Sequence, residues 1–196
     1  IDLLVHPDVI ELSRETLESA GYSSGVPESE FAGWHHSAPL IHPNERASIE
    51  LHTGLYGESE PAWVQNEKLW ANATHEQREG LRFCLLSPHH EIAYNVFHSE
   101  VHHSRGITGR LGLRDMLDLT RASLKPGADI DWAYVCATFS RLGMSHVLDT
   151  YLYKAFKLFG LSTPATPKPT WSVRRAFKRS LSVKEWEDLS AREKAL

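Results

Sequence analysis

Apolar and polar positions divide the chain into a strand-bearing first part and a helical second part. Asp2-Leu3-Leu4-Val5 is a short apolar run that predicts a buried strand. Pro7 suits a first helical turn, and Val9, Leu12, Thr16, Leu17 and Ala20 recur at helical spacing. Gly21 then supplies a C-terminal cap. Residues 34–53 predict a hairpin. Trp34 to Ile41 leads into the turn-rich His42-Pro43-Asn44-Glu45, and the stretch from Ala47 to His52 alternates. A period of two puts Ile49 and Leu51 on one face and Glu50 and His52 on the other. Residues 54–70 carry no clear pattern. A third strand is predicted over 81–86, entered through Glu79-Gly80.

From Ser87 the period becomes helical. Ser87 is an N-cap candidate and Pro88 fits the first helical position. Helices are predicted over 88–104, 108–124, 131–142 and 145–159. The third carries Trp132, Val135, Cys136 and Phe139 on one face, and the fourth carries Val147, Leu148, Tyr151, Leu152, Ala155, Phe156 and Phe159. Both stripes are read as core, and Gly143 and Gly160 end the two helices. Pro164, Pro167 and Pro169 make residues 161–170 a linker. Ser182 and Glu185 form a capping-box pattern ahead of a last short helix. The expected fold is α+β: a small mixed sheet with flanking helices over 1–86, a helical lobe over 87–160, and a linker and tail over 161–196.

Composition narrows the classes. The 196 residues are 41% hydrophobic and 23% charged, which describes a globular chain rather than a disordered one. No run of about 18 apolar residues exists, so no membrane span is expected. The net charge of −4 argues against general attraction to nucleic acid or anionic lipid. The tail over 171–196 is the exception, with seven Lys/Arg against four Asp/Glu in an otherwise acidic chain. It is read as a docking helix or loose tail, with contact to an anionic partner as the functional alternative. Cys84 and Cys136 lie far apart in apolar surroundings and read as core thiols of a reducing, cytoplasmic compartment. Ile1 opens the chain inside an apparent strand, so a preceding N-terminal part is expected.

The chemistry begins with carboxylates. Asp2 and Glu50 each sit on an apolar strand, where an ion is costly unless paired or metal-bound. Two such carboxylates on the same side of one sheet make a site for a hard cation, Mg²⁺ or Mn²⁺, suited to phosphoryl chemistry.

Ile1-Asp2-Leu3-Leu4-Val5-His6-Pro7, a helix, Gly21-Tyr22, and then Ile49-Glu50-Leu51-His52 resemble the nucleotidyltransferase superfamily of polymerase-β type. The similarity is closer to a poorly characterised branch called nucleotidyltransferase family proteins. Its helical part is matched by Ser87-Pro88, Asn95-Val96-Phe97-His98 with His102-His103, Leu113-Arg114-Asp115-Met116-Leu117-Asp118-Leu119, Asp131-Trp132 and Arg141-Leu142-Gly143. Residues 1–160 are covered, and the order of elements is more specific than any one motif.

The superfamily pattern is a Gly-Ser turn, an Asp-x-Asp pair on one strand, and a third acid on a neighbouring strand. Asp2 matches the second acid, Glu50 the third, and His52 the histidine that follows that acid in the branch. The Gly-Ser turn and the first Asp would stand just before Ile1. The resemblance implies that Asp2 ligates two metal ions and that Glu50 helps hold the one activating the nucleophile. The acceptor hydroxyl then attacks the α-phosphorus of an NTP and pyrophosphate leaves. The nucleotide, ATP among the candidates, is expected in a cleft between sheet and helical lobe, with His52, His102 and Asp118 as substrate-binding residues.

Other residues permit other readings. His98 and His102 are four apart on one helix face with Tyr94, a spacing at which two imidazoles can hold zinc. The stretch His98-Ser99-Glu100-Val101-His102 puts its Glu one place too far for a zincin, so a structural role or a phosphate contact by His102 is preferred. His35-His36 and His89-His90 read as surface or turn residues. Arg114 and Asp118 are spaced to pair on a helix, with support of the cleft as the functional reading of Asp118. No Gly-x-Ser-x-Gly elbow and no Walker loop occurs.

The expected activity is metal-dependent transfer of a nucleoside monophosphate from NTP to an unknown acceptor. The alternative is a non-catalytic module that keeps the fold and binds a nucleotide or a partner protein. A His-based zinc hydrolase is the third reading.

Overall fold

Two strands and one helix bury a single apolar face in the first unit of the chain. The computed structural model describes residues 1–31, 36–54 and 66–182, and these form two compact units, Ile1–Asn72 and Ala73–Leu196. In the first, β1 (Asp2–Leu4) pairs in parallel with β2 (Glu50–His52). Asp2 lies opposite Glu50, Leu3 opposite Leu51, and Leu4 opposite His52. On the other edge of β2, antiparallel bridges join Leu40 to Ile49 and His36 to His52. The predicted hairpin therefore forms among the described residues, while Trp34 and His35 lie outside them. β2 is the central strand of this arrangement.

The first helical segment of the chain follows β1 directly. A 3₁₀ turn over Pro7–Val9 opens α1 (Ile10–Ser19), and the Nδ1 of His6 accepts from the backbone N–H of Asp8. At the C-terminus the N–H of Tyr22 bonds to the carbonyl of Leu17, and Gly21 adopts φ 96°. That six-residue closure needs a left-handed residue, which glycine supplies. α1 turns Ile10 and Leu17 inward, where with Val5 and Tyr22 they pack on Leu40, Ile49 and Leu51. Of the expected stripe Leu17 packs inward, while Val9, Leu12, Thr16 and Ala20 are exposed. Asp2 and Leu3 are exposed too, so β1 is not the buried strand its composition suggested. A short helix, α2 (Asn66–Ala71), occupies the end of the stretch that carried no pattern and buries Leu69.

The second unit starts with a hairpin. β3 (Thr74–Arg78) and β4 (Leu81–Leu85) are antiparallel, and both residues of the turn, Glu79 and Gly80, have positive φ. A two-residue turn of that hand matches the twist of the strands. β3 reads Thr-His-Glu-Gln-Arg, which offers no apolar alternation to reveal it.

The helices α3 (Pro88–Phe97), α5 (Leu113–Leu124), α6 (Trp132–Arg141) and α7 (Ser145–Phe159) pack pairwise around Ile92, Val96, Met116, Leu119, Val135, Phe139, Tyr151 and Leu152. The span predicted as one helix over 88–104 is α3 followed by a π-helical turn, His98–His102. The predicted span 108–124 is broken into α4 (Arg105–Thr108) and α5, with Gly109 in the left-handed region between them. α8 (Trp171–Ser180) follows the proline-rich segment, capped by Thr170, whose hydroxyl accepts from Val173 N–H. It docks on α7 through Phe177 against Tyr153. The helix expected beyond Ser182 lies outside the described residues.

Both cysteines correct the expectation of core thiols. Cys84 and Cys136 are exposed. On α6 the buried face runs through Val135, Thr138 and Phe139, and Cys136 falls just beyond its edge. Among the described residues no helix is long and apolar enough to cross a membrane.

Candidate metal centre

Strand alternation sorts β2 into two functions. Leu51 points into the core and is almost fully buried, which forces Glu50 and His52 together onto the opposite face. The parallel register then brings Asp2 to the same side, directly across from Glu50. One ligand atom from each of Asp2, Glu50 and His52 lies within 4.8 Å of the others. Glu50 Oε2 and His52 Nε2 are 3.9 Å apart. Among the described residues this is the one group of three or more metal-ligating side chains that converges in this way. Two carboxylates and an imidazole are a donor set that fits a divalent cation.

His36 belongs to the same face. Its Nδ1 is 3.8 Å from Glu50 Oε2, and its ring centroid is 5.2 Å from that of His52. The reading of His36 as a surface or turn residue is thereby corrected. The reason is a β-bulge. Between the bridges His36–His52 and Leu40–Ile49, three residues (Ser37, Ala38, Pro39) face two (Glu50, Leu51). Pro39 has no N–H to give to the ladder, a usual circumstance for a bulge. Simple alternation from Leu40 would put His36 on the core side; the extra residue moves it to the polar side. Ser37 locks this arrangement, since its N–H donates to the carbonyl of Leu51 at 2.8 Å and its Oγ accepts from Leu51 N–H at 3.2 Å.

The electrostatics favour a neutral imidazole at His52. Burial holds its pKa below the ordinary histidine value, and neighbouring His36 pushes the same way. Asp2 and Glu50 oppose the shift without cancelling it. A neutral ring has one unprotonated nitrogen, the form that coordinates a metal.

The remaining sequence-derived site residues belong to the second unit. His102 is exposed on the π-helical turn, and its ring stacks on that of His98 at 5.2 Å and 13°. Tyr94 stacks on His98 in turn, at 5.4 Å. Asp118 is exposed on α5, and the pairing expected with Arg114 is replaced by an ion pair with Arg121 at 3.9 Å, three residues on. His90, read as a turn residue, is buried and bonded on both ring nitrogens, to Ser87 Oγ at 2.8 Å and Tyr134 Oη at 2.9 Å.

No curated protein and no solved structure matches the chain. The family model of uncharacterised nucleotidyltransferases matches residues 1–160, a span that takes in both the strand carboxylates and the helices from α3 to α7. With most of its length inside that match, the chain belongs to the uncharacterised nucleotidyltransferase family.

Proposed function

We propose that this protein is a metal-dependent nucleotidyltransferase that moves a nucleoside monophosphate from an NTP to an acceptor hydroxyl or phosphate. The bond formed joins the acceptor oxygen to the α-phosphorus, the bond broken releases pyrophosphate, and a hydroxyl acceptor gives up its proton. Asp2 and Glu50 are the residues that would hold the divalent ion, Mg²⁺ or Mn²⁺. When bound, such an ion neutralises phosphate oxygens and lowers the pKa of the attacking hydroxyl.

The chain's own contribution is positioning. The parallel ladder sets the two carboxylates opposite each other, and Leu51, anchored in the core, prevents β2 from rotating them away. With the backbone register set, the two carboxylates need only side-chain adjustment to converge on one cation.

The observation that carries this reading is the Asp2–Glu50 register in a chain of nucleotidyltransferase family membership. Its test is nucleotide transfer by the wild-type chain and by Glu50→Gln, with labelled NTPs and a panel of acceptors. The substitution should lower transfer by at least about 100-fold, more than loss of an outer-shell partner costs. Transfer unchanged in the variant would sink the reading. Binding of NTP that is indifferent to Mn²⁺ would point to the non-catalytic module instead.

A further inference from the structure

The nucleotidyl-transfer reading needs carboxylates, yet the polar face of β2 holds an imidazole as well. We infer that His52 is a direct ligand of the metal through Nε2, and that the resulting N/O donor set selects a first-row transition ion, Mn²⁺ in the setting of phosphate chemistry, over Mg²⁺. The inference rests on the proposed metal site and goes beyond it, because it replaces a substrate contact at His52 with a metal bond.

Three observations lead there. First, the backbone leaves His52 no other face. It is two residues from Glu50 on one strand, and its neighbour Leu51 is anchored in the core. Second, the spacing suits one ion. Two donors bonded at about 2.1 Å to the same cation stand at most about 4.2 Å apart. Glu50 Oε2 and His52 Nε2, at 3.9 Å, already fall within that span. Asp2 is exposed, so side-chain rotation is free to close the remaining separations, which are within 4.8 Å. Third, His52 is shielded, with 12% of its side chain accessible against 31% for Glu50. A solvent-shielded nitrogen beside two carboxylates is a poor place for a hydrated Mg²⁺, which holds its waters and prefers an all-oxygen octahedron. An imidazole nitrogen is better matched by a first-row transition ion, with affinity rising from Mn²⁺ toward the later ions of the row, than by Mg²⁺.

The alternative role of His52 is an ion-pair partner of Glu50 that never touches metal. The two are separable by a measurement on the unmodified protein. Mn²⁺ is titrated into the metal-free wild-type chain, and the bound ion is examined by pulsed EPR. A directly bonded ring nitrogen gives a ¹⁴N coupling; an all-oxygen site gives none. Calorimetry with Mn²⁺ and with Mg²⁺ runs alongside, on wild type, His52→Gln and Glu50→Gln, with thermal melts to verify folding.

Wild type should show the nitrogen coupling and should bind Mn²⁺ at least about tenfold more tightly than Mg²⁺. His52→Gln should remove the coupling, weaken Mn²⁺ by at least about tenfold, and change Mg²⁺ by less than about threefold. Bound Mn²⁺ without nitrogen coupling, displaced by Glu50→Gln, overturns this inference and leaves the metal site in place. Equal weakening of both ions by His52→Gln overturns the selectivity. Absence of binding by either ion to the wild-type chain overturns both the inference and the metal-dependent reading beneath it.

Discussion

The rings of His36 and His52 stand 5.2 Å apart, tilted by 34°, on the two strands that flank a one-residue bulge. Each ring therefore forms part of the other's surroundings. Burial and the neighbouring imidazole both depress the pKa of His52, against the pull of Asp2 and Glu50.

Replacing His36 with alanine should raise the pKa of His52. The change removes a like-charged neighbour and admits water to the ring, and both effects favour the protonated form. Glu50→Gln should move the same pKa down, since it deletes one of the opposing charges. NMR titration of the metal-free protein, following the His52 ring protons, checks both signs. Shifts in the same direction for the two variants would contradict this electrostatic account.

The second unit carries a buried ion pair. Lys154 Nζ donates to both carboxylate oxygens of Glu100, at 3.0 and 2.9 Å, and both side chains are almost fully buried. Glu100 sits in the π-helical turn. Arg105 and Asp115 form a further ion pair nearby. Burial keeps the pKa of Glu100 above its usual value, although Lys154 and Arg105 pull it down. Lys154→Met should cost about 3 kcal/mol of stability at neutral pH, because it strands a buried carboxylate. The deficit should shrink as pH falls, when Glu100 takes up a proton. Adding Glu100→Gln should recover most of the loss. Urea unfolding of wild type, Lys154→Met and the double variant measures this, and a single Lys154→Met chain as stable as wild type would refute it.

His90 supplies a pH dependence with a definite sign. Burial, with a smaller push from His89, lowers its pKa from the model-peptide 6.5 to about 4. The unfolded chain therefore binds more protons than the folded one between those values. Stability contributed by neutral His90 is present above pH 6.5 and is lost as pH falls toward 4. The slope approaches about 1.4 kcal/mol per pH unit within that window. His90→Gln, which keeps hydrogen-bonding groups toward Ser87 and Tyr134 but does not titrate, should flatten this part of the stability profile. Denaturant midpoints at pH 7 and pH 4.5 provide the comparison, and identical acid losses in both chains would exclude His90 as a source.

Local physics explains what was legible in the chain itself. The helix expected over 145–159 is α7, Ser145–Phe159, because a long apolar stripe ending in glycine leaves few alternatives. The alternation of Ile49, Glu50, Leu51 and His52 assigned faces correctly, since side-chain direction in a strand follows from the backbone period alone. The Glu79-Gly80 turn and the Ser87-Pro88 helix start were equally visible. The family resemblance points to Asp2 and Glu50 from their flanking residues, without the contact between their strands.

Tertiary structure decided the rest. Parallel pairing of Asp2 with Glu50 joins residues far apart in the chain, and no local pattern encodes the register. The bulge at Ser37-Ala38-Pro39 reverses the face of His36, an effect invisible to a strict period of two. α1 packs Ile10 and Leu17, both half-buried, rather than Val9 and Leu12 against the sheet, because only that stripe meets Leu40, Ile49 and Leu51. The π-helical turn at His98–His102 breaks a continuous helical pattern and carries Glu100, which Lys154 meets in the interior. The chain thus wrote its faces and turns in short-range periodicity. Which faces met, and which donors came to share one site, depended on long-range packing that a local pattern does not specify.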